Sequence, residues 1–312
     1  MDFVNVAHLH LLLNHVPTIG TVCAIGLFVL ALVRRNEHLQ RASLELFFLV
    51  ALVTLPAYLT GVAAQAVIED RPEVSRAAID AHHDSALMAF LFMQITGLSA
   101  WLALWLRRRR AQSVRWTTTA VLLPAIVTLA LMTSAATIGG EIRHPEIRLA
   151  ENVVAARGWL SVTSITTFVS DTPWVWPAAE TLHFLGMSLL FGILMTINLR
   201  ILGVMKAVPF AALHRLLPWA MIAFGINMIT GMLFFVSAAG QYINSAPFSW
   251  KIVAMVPAGA NVLYLTVVDR AWTLEGGDEA PIADKAIAAS AIGLWVAVMY
   301  FGRMLPFLGT SF

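Results

Sequence analysis

The stretch 44-LELFFLVALVTLPAYLTGVAAQAVI-68 is twenty-five residues of almost unbroken apolar sequence. A hydrocarbon layer about 30 Å thick is crossed by about twenty helical residues, and a helix satisfies its own backbone where no water can. The run therefore reads as a membrane-crossing helix. Runs of similar character lie at 6–33, 83–106, 116–138, 177–200, 214–239, 250–272 and 284–305. A hydrophobic fraction of 59%, only 12% charged residues and a mean hydropathy of +0.78 exceed what a soluble domain keeps from water. The expected fold is all-α and integral to the membrane, with eight transmembrane helices in two four-helix bundles.

The bundles are expected at 1–138 and 177–312, joined by the segment 139–176. That segment opens on Gly139-Gly140, carries Glu141, Glu146 and Glu151, and closes with 171-DTPWVWP-177. It is longer than a turn and fits a cap on one face, with a surface helix over 146–158 and an interfacial stretch over 159–170.

Orientation follows from basic residues in alternate loops, because Lys and Arg are retained on the cytoplasmic side. One set holds thirteen: Arg34, Arg35, Arg41, Arg107 to Arg110, Arg115, Arg200, Lys206, Arg215, Arg270 and Lys285. The other set holds the remaining seven of twenty. Both termini are thus expected in the periplasm of a bacterial cell, the protein being a multi-pass component of the inner membrane. The run 107-RRRR-110 reads as a topology anchor, not a nucleic-acid site. No basic region precedes the first span, so no cleavable signal is expected. Cys23 is the single cysteine, which excludes an intramolecular disulfide and covalent haem attachment.

The halves read as a weak parallel repeat. His15 precedes Arg34 by nineteen residues and His183 precedes Arg200 by seventeen; Thr60-Gly61 matches Thr230-Gly231. In this register Lys251 stands where the first half has its third-span histidine.

Histidines carry the chemical signal. His8, His10 and His15 open the first span, and His82 and His83 open the third. Imidazole ligates haem iron and other transition metals, and ionisable groups at membrane depth are costly enough to imply use. On a helix His10 and His15 diverge by about 140°, so they cannot bind one metal together. His10 shares a face with Asn14. Two helices each presenting an imidazole form the usual cradle for a six-coordinate b-type haem. His15 and His83 are the expected axial ligands, with His8, His10 and His82 in reserve. The competing reading makes them interfacial side chains bonded to Asp80 and Asp84.

His183 lies about two turns into span five, one turn after Glu180, and suits a second haem, a quinone carbonyl, or a polar cluster with Glu180 and Lys251. Glu141-Ile-Arg-His144 and Glu180-Thr-Leu-His183 have the Glu-x-x-His spacing of di-iron bundles, but the further buried carboxylates such a site needs are not evident. His214 is expected at the membrane interface beside Arg215.

Residues 10-HLLLNHVP-17 resemble the His-x4-His-x-Pro start of a bacterial family of four-helix membrane domains, over roughly the first 140 residues. The second half, through 180-ETLHFLG-186, 199-LRILG-203 and 216-LLPW-219, resembles another bacterial membrane family. Neither family brings an established activity; similar proteins suggest a membrane partner of redox enzymes. Eight spans as two fused bundles are also similar in architecture to haem A synthase, from which this chain departs in its third and seventh spans and in lacking a cysteine-bearing outer loop.

The expected function is electron transport: a cytochrome b-like subunit with one or two haem b groups, linking a periplasmic redox partner to the quinone pool of a respiratory chain within a larger complex. The alternatives are a cofactor-free assembly subunit and a metal-ion transporter. Lipid is the surrounding partner in every case.

Overall fold

The computed structural model describes residues 6–69, 71, 74–110, 115–143, 161–268 and 272–308. The described residues form helices and turns without a strand, and eight helical segments among them are long and apolar enough to cross a membrane. The chain divides into two compact units, Met1–Thr166 and Thr167–Phe312. The division falls inside the connecting segment expected from the sequence.

In unit 1 the first crossing is made of α1 (Val6–Leu13) and α2 (His15–Val33). The break at Asn14 has a chemical cause. Pro17 has no amide hydrogen for the Leu13 carbonyl, so the helical ladder is interrupted there. Then come α3 (Glu37–Ile68), α4 (Arg76–Arg110) and α5 (Arg115–Arg143). The tight turn before α3 places Arg35 in the left-handed region at φ 49°, and the Asn36 side chain caps α3 by accepting from the Leu39 amide at 3.1 Å.

The crossings close into a ring: α1 and α2 pack on α3, α3 on α4, α4 on α5, and α5 on α2. The first crossing and α4 therefore oppose each other diagonally, as do α3 and α5. Lipid tails remove the hydrophobic drive between helices, so small residues and polar links decide these contacts. Gln94 Nε2 donates to the Ala51 carbonyl at 3.0 Å, and the Thr96 and Thr128 hydroxyls pair at 3.2 Å across α4 and α5. Thr21 donates to its own helix at Pro17 O and lies 3.5 Å from the sulfurs of Met93 and Met132. Trp101 is buried against Phe48, their rings 5.7 Å apart.

At the α3–α4 contact, a Cβ on Gly97 would come within 2.4 Å of Ala51 Cβ. Gly97→Ala is thus expected to destabilise unit 1 by about 1–3 kcal/mol through backbone separation. Thermal unfolding of the purified variant in detergent checks this; an unchanged midpoint would mean the helices part at no cost.

The expected interfacial stretch is α6 (Val162–Asp171), whose first amide is accepted by Asp84 Oδ1 at 2.7 Å. The surface helix expected over 146–158 lies outside the described residues.

Unit 2 contains α7 (Val175–Leu202), α8 (Leu217–Ser237), α9 (Ala246–Val267) and α10 (Ile282–Leu308). A short 3-10 turn, His214–Leu216, leads into α8. Helix α7 packs on α8 and on α10, and α10 packs on α9, but α8 and α9 make no comparable approach. Helices α8 and α9 meet through the stacked rings of Phe235 and Phe248, 5.6 Å apart, and α7 and α9 are opposed diagonally. Helix α7 ends on Gly203 at φ 97°, where the Val204 amide bonds Leu199 O and the Gly203 amide bonds Arg200 O. That is a Schellman cap, which glycine accommodates without a Cβ clash.

Beyond α7, the loop before α8 and the loop before α10 are tied together. The Phe210 amide bonds Leu274 O at 3.0 Å and the Gly277 amide bonds Lys206 O at 2.8 Å. Arg200, counted above as a loop cation, is fully buried and bonds three carbonyls of these loops. His214, expected as an interfacial side chain, is likewise fully buried within the protein and stacked at 3.6 Å on Trp272.

On the surface of the same loops, hydrogen bonds from Lys206 and Lys285 hold the Glu279 carboxyl down to about 2. Its folded value lies below the ordinary one, so the contribution of these contacts is complete above the ordinary carboxylate range and lost as pH falls toward 2. The groups are exposed and the contribution is small. Side-chain carbon NMR should show Glu279 titrating near 2, and returning toward the ordinary range in Lys206→Ala; a normal titration in the parent protein would refute the pairing.

Candidate functional site

The histidines of α1 and α4 lie at the same end of unit 1. His10 Nδ1 sits 3.0 Å from the Ala57 carbonyl and 3.5 Å from Thr60 Oγ1. A carbonyl only accepts, so Nδ1 carries the proton and donates. The Thr60 hydroxyl is itself spent on Pro56 O and Ala57 O. The ring lies over Gly61, where a Cβ would come within 2.9 Å of His10 Cε1. Any larger residue on α3 would displace this imidazole.

His82 repeats the arrangement from the diagonal helix. Its Nδ1 donates to the Ala135 carbonyl of α5 at 2.8 Å, and a Cβ on Gly139 would come within 3.0 Å of its Cε1. The two rings are within electrostatic reach of each other. Because both Nδ1 atoms are committed to carbonyls, both Nε2 atoms present lone pairs, and neither makes a hydrogen bond among the described residues. Asn14 Oδ1, one turn beyond His10, is buried without a hydrogen-bond partner.

The other expected ligands face elsewhere. His15 is exposed and bonds the Leu11 carbonyl of its own helical turn at 3.1 Å. His83 has its Nε2 3.1 Å from the Tyr58 hydroxyl, with the rings 5.9 Å apart. His8 is exposed. His15 and His83 thus turn to different surroundings, while His10 and His82 each bond a backbone carbonyl of a neighbouring helix. No carboxylate bonds either histidine of α4 in the described residues; Asp84 caps α6 instead.

Unit 2 has the same plan with one change. His183 Nδ1 lies 2.8 Å from Thr230 Oγ1, whose hydroxyl donates to Ile226 O at 2.8 Å. The hydroxyl oxygen therefore accepts from the imidazole, and Nε2 is again a lone pair. Gly231 lies beneath the ring, its Cβ position 3.6 Å from Cε1. On the diagonal helix stands Lys251, running along Gly302 of α10 with Nζ 3.5 Å from that glycine's Cβ position. Thus His10, Thr60, Gly61, His82 and Gly139 correspond to His183, Thr230, Gly231, Lys251 and Gly302. The match of Thr-Gly pairs and the lysine-for-histidine exchange agree with the sequence repeat; the first-helix partner is His10 where His15 was expected.

Lys251 forms no ion pair with Glu180 among the described residues, and Glu180 is exposed. Burial, with the Glu180 charge adding, pushes the Tyr242 hydroxyl up to about 12, so it stays protonated. Trp176, Phe234 and His183 form an aromatic row with centroids 4.9 and 5.6 Å apart. Asn227 Oδ1 is buried beside Gly186 without a hydrogen-bond partner.

Among the described residues no three His, Cys, Asp or Glu gather as a metal cluster. The di-iron spacing at Glu141 includes His144, which lies outside the described residues. What unit 1 offers is a donor set for a flat group bound from two sides: two imidazole Nε2 lone pairs from diagonal helices, glycines at both rings, and one unsatisfied buried oxygen. Comparison of the chain with family models, with curated proteins and with solved structures finds no match.

Proposed function

We propose that unit 1 holds a b-type haem between His10 and His82, and that the protein is an electron-transfer subunit of the bacterial inner membrane. It links a periplasmic redox partner to the quinone pool within a larger complex. The observation that carries this reading is the pair of imidazoles on diagonal helices, each fixed by an Nδ1–H bond to a backbone carbonyl and each left with an unbonded Nε2. Such bonds at the far ring nitrogen set the tautomer and orientation of a ligating histidine and raise its basicity.

The haem would supply a one-electron carrier. Ala57 O and Ala135 O orient the ligands and increase their electron donation, favouring the oxidised iron and a lower potential. Gly61 and Gly139 leave the rings room at the helix surface. With Cys23 as the single cysteine, attachment is non-covalent.

A reduced-minus-oxidised optical spectrum of the full chain, purified from cells supplied with haem precursor, tests the proposal. A b-type band with about one haem per chain supports it. Protein that is folded, haem-free and unable to take up added hemin overturns it.

A further inference from the structure

The exchange of imidazole for ammonium at the diagonal position changes what unit 2 can hold. Lys251 Nζ donates three hydrogens and accepts none, and it has no ion-pair or hydrogen-bond partner among the described residues. An ammonium within a membrane span is costly unless an acceptor meets it. His183 is the reverse: with Nδ1–H given to Thr230, its Nε2 asks for a donor. Asn227 Oδ1, on the α8 face near His183 and one turn before Thr230, also lacks a donor.

A ligand that satisfies this set must bring an oxygen acceptor for Lys251 and an O–H donor for His183. A phosphodiester or an ionised carboxylate brings acceptors only. The Trp176, Phe234 and His183 row adds an aromatic wall for a ring, and α8 and α9 meet at the Phe235–Phe248 stack without packing along their length among the described residues. The membrane setting requires the ligand to be soluble in lipid.

We infer that the His183, Lys251 and Phe234 region of unit 2 binds the headgroup of a lipid-soluble quinol or quinone, with His183 Nε2 accepting from a ring hydroxyl and Lys251 donating to the oxygen across the ring. The site uses unit 2 alone and does not depend on haem in unit 1.

The test is binding of decylubiquinol and decylubiquinone to the full chain in nanodiscs, by calorimetry, with the parent protein, His183→Ala, Lys251→Met and His10→Ala. His183→Ala and Lys251→Met should each weaken binding at least tenfold, His10→Ala should leave it within twofold, and the quinol should lose more than the quinone in His183→Ala. Equal binding by the parent and both unit 2 variants overturns the inference. So does displacement of the quinone by phosphatidylglycerol added to neutral nanodiscs, which would make the site one for anionic lipid. If the variants do not fold, an azido-quinone used on the parent protein decides: label on α7 or α9 supports the site, and label confined to unit 1 overturns it. The haem spectrum is read from the same samples, so loss of quinone binding with the haem band intact separates this inference from the proposal for unit 1.

Discussion

His10→Ala and His82→Ala should each abolish the low-spin b-type band, while His15→Ala retains it at parent intensity. A six-coordinate haem held non-covalently loses one of two protein bonds to iron when either ligand is removed, and the remaining imidazole has no covalent link to fall back on. Retained haem would be five-coordinate and high-spin, with a shifted Soret band. His83→Phe is the informative neighbour. His83 is spent on Tyr58, so its loss should leave bound haem within about twofold, although it adjoins His82. Gly61→Leu should mimic His10→Ala, since its side chain would occupy the position of the His10 ring. If His15→Ala and His83→Phe remove haem while His10→Ala and His82→Ala do not, the pairing drawn here is wrong and the sequence-based pair is right. If the parent shows the band and no variant affects it, the haem is ligated elsewhere; if the folded parent shows no band, the histidines serve packing, as a cofactor-free subunit would use them.

The second large effect is on stability. Arg200→Ala should destabilise unit 2 by on the order of 3–5 kcal/mol, because a fully buried guanidinium donates to three loop carbonyls and hydrogen bonds from a charged group are each worth about 1.5–3 kcal/mol. Nε reaches Val208 O at 2.5 Å, Nη2 reaches Glu275 O at 2.7 Å and Nη1 reaches Asp278 O at 3.2 Å. One side chain thus fastens both loops at this end of the unit. Arg200→Lys keeps the charge but cannot fork to three acceptors, so it should fall between parent and alanine. The measurement is thermal unfolding in detergent together with protease nicking of the loops at 203–209 and 272–281. A midpoint equal to the parent, with loops equally resistant, would show that the carbonyls find other donors.

The spans were legible because apolar length in a bilayer is a one-dimensional property. Each of the eight runs corresponds to a helix, with ends displaced where polar turns continue the helix beyond the hydrocarbon, as in α4, which begins at Arg76 ahead of the apolar run at 83. The repeat was legible through Thr60-Gly61 and Thr230-Gly231. What was not legible was the phase of the first helix. His10 and His15 are both plausible on a helical wheel, and which one faces α3 depends on how the crossing continues past Asn14 and Pro17. The glycines held the missing signal: Gly61 and Gly139 mark where rings land, but a membrane sequence rich in small residues does not say which glycine receives a ring.

Sequence alone determined that this chain is an all-helical membrane protein, with imidazoles concentrated at one end of its spans, since hydropathy and spacing need no knowledge of neighbours. Tertiary structure decided which backbone carbonyl His10 and His82 each bond, which nitrogen each keeps free, and that Arg200 and His214 are interior groups and not surface ones. The reason is that pairing, tautomer and burial depend on carbonyls and glycines from helices forty to sixty residues away, as with His10 and Ala57 or His82 and Ala135. Only packing brings those partners to the ring.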